Sequence, residues 1–270
     1  MNTWRLLITP PASGAWNMAV DEALLQAIGR GASLPVLRLY AWQPACLSLG
    51  QAQSFKDVDL PRLHAQGWQV VRRMTGGRAI LHTDELTYSV IAPPDEPRVQ
   101  GSVLESYSRL ARALLAGVRT LGLPVEMEAN AAPAGPAAGP VCFEVPSAYE
   151  IVSAGKKLIG SAQARKREGV LQHGSLPLYG DLRRITQALV YPDEAARQLA
   201  VHRLLAHATT FEAASGHTVD WDTAAQAFVN AFENELGLQF ERTELSPDER
   251  AATEELVQKK YDHPDWTERS

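Results

Sequence analysis

The chain has 270 residues, of which 45% are hydrophobic and 21% charged, so it can bury a large core and has an ordinary globular composition. A formal net charge of −5 argues against a nucleic-acid-binding protein, which normally carries a basic excess. Two cysteines are too few for a disulfide framework, and no apolar run is long enough to span a membrane. Because the N-terminus also lacks the apolar run of a signal peptide, we expect a cytoplasmic protein.

The first half of the chain alternates predicted strands with two helices. Residues 17–30 have the apolar spacing of a helix, with Asn17 as its expected N-cap. Ser102 and Glu105 form a capping box that opens a second helix, which Gly122 ends. Short apolar runs predict four strands, at 36–42, 45–49, 68–73 and 86–92.

The second half begins with a loop and becomes helical. Residues 129–140 are rich in Ala, Pro and Gly, which favour an irregular segment. Three strands follow, at 149–152, 156–163 and 170–178. The order of elements predicts one α/β or α+β domain over 1–270, with a mixed sheet flanked by helices and a helical C-terminal part at about 182–270.

The segment 72–78 (RRMTGGR), called the glycine loop below, follows a predicted strand. Adjacent Gly76 and Gly77 allow a sharp turn that brings backbone N–H groups close to a ligand. Arg72 and Arg73 precede it and add positive charge. The loop is either a ligand-binding segment or a tight turn, and His82 just after it is either a polar anchor or a structural histidine.

Cys142 lies where the irregular segment meets ordered structure. A nucleophilic cysteine needs access and a pKa lowered from about 8.5, usually by a nearby cation. The alternative is a small buried hydrophobe, the common fate of a free cysteine. Cys46 fits that alternative because it lies in an apolar strand.

Lys157 lies on a predicted hairpin strand and is a candidate to reach a bound acyl carbonyl. On an extended strand Lys157 and Ile159 share a face with Ser161, whereas Lys156 points away. The alternative is a pair of solvated lysines at a turn. Small residues that leave space for a bound carbonyl follow it, namely Gly160, Ser161 and Ala162.

Two further polar segments have open interpretations. His173 is either a catalytic base or a structural histidine, and the sequence favours the structural role. The basic run 165–167 is either a solvated turn or a docking site for an acidic carrier protein.

Taken together, these motifs resemble the lipoate-protein ligase and octanoyltransferase family, whose catalytic domain is shared with biotin protein ligases. The resemblance extends from residue 4 to about 191 and includes NMAVDEAL at 17–24, the glycine loop, His82 and residues 157–162. ATP-dependent ligases of the family have Gly, Asp and a Gly-Asn pair where this chain has Arg78, Thr83 and Glu85 with its neighbour. The segment CFEVPS at 142–147 resembles instead the cysteine-dependent octanoyl-acyl carrier protein:protein octanoyltransferases.

That resemblance implies a reaction, its partners and its site. Cys142 would take octanoyl from acyl carrier protein as a thioester and pass it to a lysine of a lipoyl-domain protein, such as the glycine-cleavage H protein or a 2-oxoacid dehydrogenase subunit. Lys157 would assist catalysis, with neither a metal nor a cofactor, nor any nucleic-acid or membrane partner. The residues expected to line the substrate site are Arg72, Arg73, Thr75, Gly76, Gly77, His82, Gly160, Ser161 and Ala162.

Four other functions remain open from the sequence. They are an ATP-dependent lipoate-protein ligase, a relay amidotransferase between lipoyl domains, a non-catalytic acyl-binding protein on the same scaffold, and a thiol hydrolase. The hydrolase would need a histidine base beside Cys142.

Overall fold

A computed structural model describes residues 2–128, 141 and 150–269. Its strands, in chain order, are β1 (Thr3–Ile8), β2 (Val36–Tyr40), β3 (Cys46–Leu49), β4 (Gln69–Arg72), β5 (Ile80–His82), β6 (Glu85–Ala92), β7 (Glu126–Glu128), β8 (Glu150–Ser153), β9 (Lys156–Arg165), β10 (Val170–Pro177) and β11 (Gln239–Arg242). Its helices are α1 (Gly14–Gly29), α2 (Leu60–Ala65), α3 (Val103–Thr120), α4 (Glu194–His207), α5 (Phe211–Ser215), α6 (Trp221–Leu236), α7 (Pro247–Leu256) and α8 (Pro264–Thr267).

The strands form two mixed sheets. The large sheet has the order β11-β1-β2-β6-β10-β9-β8-β7, and the small one has the order β4-β3-β5. In the large sheet β1 is parallel to both neighbours, whereas β6, β10, β9 and β8 pair antiparallel. The predicted mixed sheet flanked by helices is therefore confirmed.

The large sheet is covered on both faces, and the two faces differ in character. All eight residues of β6 are buried. Tyr88 and Val90 belong to the apolar cluster that includes α3 and α6. Because side chains alternate along a strand, Thr87 and Ser89 face the other side. There Ser89 bonds Asp21 of α1, so the buried polar face lies beneath α1.

Most helices begin and end where local chemistry predicts. The capping boxes at Ser102 and Ser246 are both present. Helix α6 runs from the N-cap Asp220 to Gly237, which has a positive φ of 61°. The region after 182 is mostly helical as predicted, although β11 interrupts it.

The predicted N-cap Asn17 is wrong. Helix α1 begins one turn earlier, because the Ser13 hydroxyl accepts the Trp16 N–H and caps the helix. The Asn17 side chain is fully buried and bonds Arg38 and the carbonyl oxygens of Ala12 and Ala41. Strands β1 and β11, which pair with each other in parallel, are additions to the predicted elements.

The C-terminal segment packs against the start of the glycine loop through Arg72. The Arg72 guanidinium donates to the carbonyl oxygens of Trp266, Thr267 and Arg269 at 2.7–3.2 Å. It also donates to the carbonyl oxygen of Gly50 at 3.0 Å. In return the Trp266 indole N–H donates to the Arg72 carbonyl at 2.8 Å. Helix α8 is therefore fastened to the small sheet at the residue from which the glycine loop departs.

No helix in the described ranges combines the length and apolar character needed to cross a bilayer. The cytoplasmic location expected from the sequence stays a prediction.

Replacing Trp266 tests this attachment. We expect Trp266→Ala to lower the free energy of unfolding by about 3 kcal/mol, since it removes a large packed ring and the bond to the Arg72 carbonyl. Trp266→Phe keeps the ring, so it should cost about 1 kcal/mol, the size of one hydrogen bond. Urea unfolding followed by circular dichroism measures both. Equal stability of wild type and Trp266→Ala would show that the contact contributes nothing.

Candidate active site

The glycine loop is held closed by one of its own arginines. Arg73 is buried, and its guanidinium donates to the carbonyl oxygens of Gly76 at 2.9 Å and Arg78 at 2.7 Å. It also donates to the Ser48 carbonyl of β3 at 3.0 Å. Gly77 has a φ of 91°, which suits glycine, and its carbonyl lies where a Cβ on Gly50 would collide with it. The loop is thus a turn held by hydrogen bonds from Arg73, with Gly76 and Gly77 exposed at its tip.

The two arginines at the start of the loop have different roles. Arg72 is turned toward the C-terminal segment, as described above, whereas Arg73 binds the loop itself. Both act on carbonyl oxygens of the protein and fix the backbone around the loop. Both arginines are expected from the sequence to line the substrate site, and no feature of the sequence distinguishes their roles.

His82 lies at the centre of a buried carboxylate–imidazole–hydroxyl chain. Its Nδ1 is 2.6 Å from Glu85 Oε1 and its Nε2 is 2.7 Å from Ser48 Oγ. The ring stacks on Trp42 with centroids 3.9 Å apart. Ser48 Oγ in turn accepts from Arg73, so this chain leads to the glycine loop. His82 is therefore hydrogen-bonded at both ring nitrogens beneath the loop, and its expected place in the substrate site stays a prediction.

Glu85 is ionised in this environment. Burial raises the pKa of its carboxyl, but the His82 charge and hydrogen bonds from His82, Thr87 and Ser175 outweigh that effect and hold it below 4.5. The spacing of His82 and Glu85, three residues apart across the β5–β6 turn, is the sequence signal that would have found this pair.

Thr75 is the loop residue that reaches the large sheet. Its Oγ1 is 2.7 Å from His173 Nε2, and its carbonyl accepts the Gln51 N–H at 2.8 Å. His173 Nδ1 faces Asp21 Oδ2 at 3.5 Å. A second carboxylate–imidazole–hydroxyl chain therefore ends at the glycine loop. Sequence analysis favoured a structural role for His173 and did not connect it with Thr75.

Lys157 is buried, whereas Lys156 is exposed. The Lys157 amine forms an ion pair with Glu150 of the neighbouring strand β8. The Lys156 amine donates to the Leu205 carbonyl at the end of α4. The two lysines therefore differ in burial, and the catalytic role expected for Lys157 stays a prediction.

The face on which Lys157 lies was predicted too simply. The register between β8 and β9 slips, so Ile151 pairs with Ile159 and Val152 with Lys157. One residue of β9, Leu158, is left over, which is the pattern of a β-bulge. Strict alternation therefore does not extend from Ser161 back to Lys157.

The small residues of β9 divide between the two faces of the sheet. Gly160 pairs with Ser175 and Ala162 with His173, and such partners share a face. Gly160 and Ala162 therefore lie on the polar face beside the two histidine chains, and neither adds a bulky side chain there. Ser161 lies on the opposite face, where its hydroxyl is 2.7 Å from Tyr88 OH.

Cys142 lies outside the described residues, whereas Val141, which precedes it, is described. Val141 is fully buried and pairs in parallel with Ala79, the residue that follows the glycine loop. Ala208 packs in the same apolar cluster as Val141 and Ala79, and it bridges to Lys157. The cluster thus joins the end of the loop to the strand that carries the buried lysine.

A narrow cleft of about 30 Å³ opens beside Val141. Thr83, Asp84, Glu85 and Asp181 contribute polar groups to its lining, and apolar side chains come from β5, the 182–187 turn and α4. They include Ile80, Leu81, Ile185 and Leu204.

Cys46 is the structural cysteine that its strand predicts. It is fully buried in β3, and burial raises the pKa of its thiol far above the ordinary value, with a further contribution from Glu85. The thiolate form is therefore not populated near neutral pH, and Cys46 does not qualify as a nucleophile.

Comparisons with known proteins identify a family. The family described as lipoyl protein ligase A/B catalytic domain matches residues 13–233. Octanoyltransferase LipM of Kyrpidia tusciae is 41% identical over 275 residues, covering 100% of both chains. Octanoyltransferase LipM of Moorella thermoacetica is 42% identical over 274 residues, covering 99% of this chain and 98% of the relative.

Solved structures share the fold at lower identity. A bipartite lipoate protein ligase of Thermoplasma acidophilum, described with its E2 lipoyl domain, superposes with a TM-score of 0.83 at 23% identity, covering 99% of this chain and 97% of that one. Lipoate-protein ligase A bound with ATP gives a TM-score of 0.80 at 23% identity and 98% coverage of both chains.

The Glu85 carboxylate should make the free energy of unfolding depend on pH in the acidic range. Since its pKa is lowered in the folded protein, its contribution is fully present above about pH 4.5 and is lost as the pH falls through the lowered value. We expect Glu85→Gln to flatten the fall of unfolding free energy with decreasing pH by up to about 1.4 kcal/mol per pH unit.

Urea unfolding at pH 7, 5 and 3.5 measures that slope. The matched control is Glu241→Gln on β11, where the carboxylate is exposed and should leave the slope as in wild type. A slope in Glu85→Gln equal to that of wild type would contradict the ionised buried pair.

Proposed function

This chain belongs to the lipoyl protein ligase A/B catalytic domain family, and within that family we propose that it is an octanoyltransferase of lipoate biosynthesis. It would move octanoyl from acyl carrier protein, through a Cys142 thioester, to a lysine of a lipoyl-domain protein. That acceptor would be the glycine-cleavage H protein or a 2-oxoacid dehydrogenase subunit, and the reaction would take place in the cytoplasm. Support comes from the similarity to octanoyltransferases along essentially the whole chain.

One observation carries the assignment of Cys142. The described residues on either side of 142–149 both belong to the site, because Val141 lies beside the glycine loop and Glu150 pairs with Lys157. The segment that contains the cysteine thus starts at the loop and ends at the buried amine. Cys46, the other thiol of the chain, is excluded by its burial and its raised pKa.

The chemistry needs two acyl transfers. In the first, the Cys142 thiolate attacks the donor thioester, a new C–S bond forms, and the carrier thiol leaves. In the second, the acceptor amine attacks the octanoyl-cysteine, an amide forms, and Cys142 is released as a thiol. The first exchange is nearly isoenergetic and the second is downhill, so the cycle requires no ATP.

Each neighbouring group has a place in this proposal. The Lys157 ammonium favours the thiolate form of a nearby cysteine. The exposed N–H groups of Gly76 and Gly77 are candidates for stabilising the oxyanion, where one oriented donor is typically worth about 3–4 kcal/mol. Arg72, Arg73 and His82 support the loop, and Thr75 connects it to the sheet. Gly160 and Ala162 lie on the polar face with the two histidine chains, Ser161 secures the strand, and the cleft beside Val141 has apolar side chains on part of its lining.

Intact mass tests the covalent step. After incubation with octanoyl-acyl carrier protein and no nucleotide, we expect wild type to gain one octanoyl group that excess thiol removes, as a thioester requires, and Cys142→Ser to gain none. Cys46→Ala should still gain it, which makes it the matched control.

Adding an apo lipoyl-domain acceptor should then discharge the adduct and increase the acceptor mass by one octanoyl group. Strict dependence on ATP and free lipoate would instead identify a ligase. Donor binding without an adduct would indicate a non-catalytic acyl-binding protein.

The two adjacent lysines provide an internal comparison. Lys157→Ala removes a buried cation and leaves the Glu150 carboxylate in the interior, so we expect the transfer rate to fall at least about 100-fold. Lys156→Ala removes an exposed side chain and should retain the rate within about threefold. Single-turnover transfer, with thermal melting as the check on folding, measures both. Equal loss in the two variants would refute the role given to Lys157.

A further inference from the structure

The chain from Asp21 through His173 to Thr75 is built of buried groups on three different elements. Asp21 comes from α1, His173 from β10 and Thr75 from the glycine loop, and they are only 1%, 7% and 1% exposed. The link of His173 Nε2 to Thr75 Oγ1 is short, at 2.7 Å. Burial of a carboxylate and an imidazole is costly unless their hydrogen bonds are made, so this arrangement constrains where the protons lie.

Asp21 fixes the tautomer of His173. Burial raises the pKa of Asp21, but the Arg38 charge at 2.8 Å and the contacts with His173 outweigh it and leave the pKa below its ordinary value. An ionised carboxylate only accepts, so the proton of the imidazole lies on Nδ1, which faces Asp21. In the neutral ring Nε2 is then an acceptor, and the Thr75 hydroxyl must donate to it.

His173 is surrounded by charges of both signs. Asp21 faces it from α1, Arg38 and Tyr40 lie on β2 beside that carboxylate, and Arg73 and His82 approach from the small sheet. Burial lowers the pKa of His173, Asp21 raises it, and Arg73 and His82 lower it again, with a net decrease from 6.5. The imidazole is therefore neutral near pH 7, which is the state that accepts a hydrogen bond from the Thr75 hydroxyl.

Three of the described contacts hold residues 73–78 of the glycine loop, and one of these three involves a group that titrates near neutral pH. Arg73 binds its carbonyl oxygens, and the Gln51 N–H binds the Thr75 carbonyl. Neither bond changes between pH 5 and 8. The third attachment is Thr75 to His173. When the imidazole gains a proton, Nε2 becomes a donor, and the Thr75 hydroxyl has to rotate and direct its own hydrogen elsewhere.

From these contacts we propose that His173 is a positioning residue, which by accepting a hydrogen bond from the Thr75 hydroxyl holds the glycine loop in the geometry that acyl transfer requires. This proposal rests on the proposed function, because it assigns a task to a residue of the same site. No proton passes from His173 to the substrate. Its effect is on the rate of transfer through the loop, and that effect is lost when the imidazole is protonated.

Variants at Thr75 separate the hydroxyl from the bulk of the side chain. Thr75→Val keeps the shape and removes the donor, so we expect single-turnover octanoyl transfer to fall about 10- to 100-fold with little change in the acceptor concentration at half-maximal rate. Thr75→Ser restores the hydroxyl and should recover most of the rate. Equal rates for Thr75→Val and wild type, or equal impairment of the Ser and Val variants, would overturn the proposal.

The pH profile separates positioning from a purely structural role. Wild type should lose its transfer rate toward acidic pH with an apparent pKa below 6.5. His173→Gln places an amide near the Nε2 position but cannot titrate, so its profile should lose the component with that pKa and keep only the slope from the Cys142 thiol and the acceptor amine, while its rate near pH 7 stays within about tenfold. The exposed His202→Gln on α4 is the matched control and should keep the wild-type profile.

An acidic limb that persists unchanged in His173→Gln would overturn the role of His173. The same samples are weighed for the octanoyl adduct. If wild type itself forms no adduct, the proposed function fails. If it forms the adduct and transfers it while the Thr75 and His173 variants behave as wild type, the positioning role alone fails.

Discussion

The buried ion pair between Arg38 and Asp21 is the interaction on which the rest of the site depends. Both side chains are almost fully inaccessible, and their charged atoms are 2.8 Å apart. Removing one partner of such a pair typically costs 3–5 kcal/mol, because the remaining charge has no compensation. The pair fixes α1 to the centre of the large sheet. Asn17 completes it by accepting from the same guanidinium, so the fragment 17–21 of the helix is held in one rotation.

That rotation determines what the polar face of the sheet presents. Asp21 stands over β6 and β10, where it accepts from Ser89 and faces His173. The small sheet supplies a second, similar chain, from Glu85 through His82 to Ser48 and Arg73. Both chains end at the glycine loop, one at its threonine and one at its arginine. The position of the loop backbone is therefore fixed by contacts with both sheets, although its tip is exposed.

Local signals in the sequence predicted local structure well. The capping box that opens α3 and the glycine that follows α3 were found because the partners lie within a few residues of one another. The mixed sheet and the family also followed from the sequence. Strand β11 did not, since its four residues gain stability only from the parallel pairing with β1, more than 230 residues earlier in the chain. The glycine loop was predicted, but the different tasks of Arg72 and Arg73 depend on partners as distant as residues 266–269.

The lysine at the bulge shows the same limit in one residue. Alternation predicted that Lys157 and Lys156 point to opposite sides of the strand, and the structure has Lys157 buried and Lys156 exposed. A register slip against β8 nevertheless separates Lys157 from the face of Ser161, and nothing in the spacing of β9 encodes that slip. The contact with Glu150 depends on it, because the bulge brings a residue of β9 opposite a strand that starts with a carboxylate.

The ion pair has a consequence for the proposed reaction cycle. Lys157 already compensates the Glu150 carboxylate, so under the proposed function the Cys142 thiolate would have to draw on a cation that is shared. Acylation would convert that thiolate into a neutral thioester and leave Lys157 paired with Glu150 alone. In the proposed cycle the acyl-enzyme would therefore be the state with the fewest competing charges around Lys157, which would favour its persistence until an acceptor amine arrives.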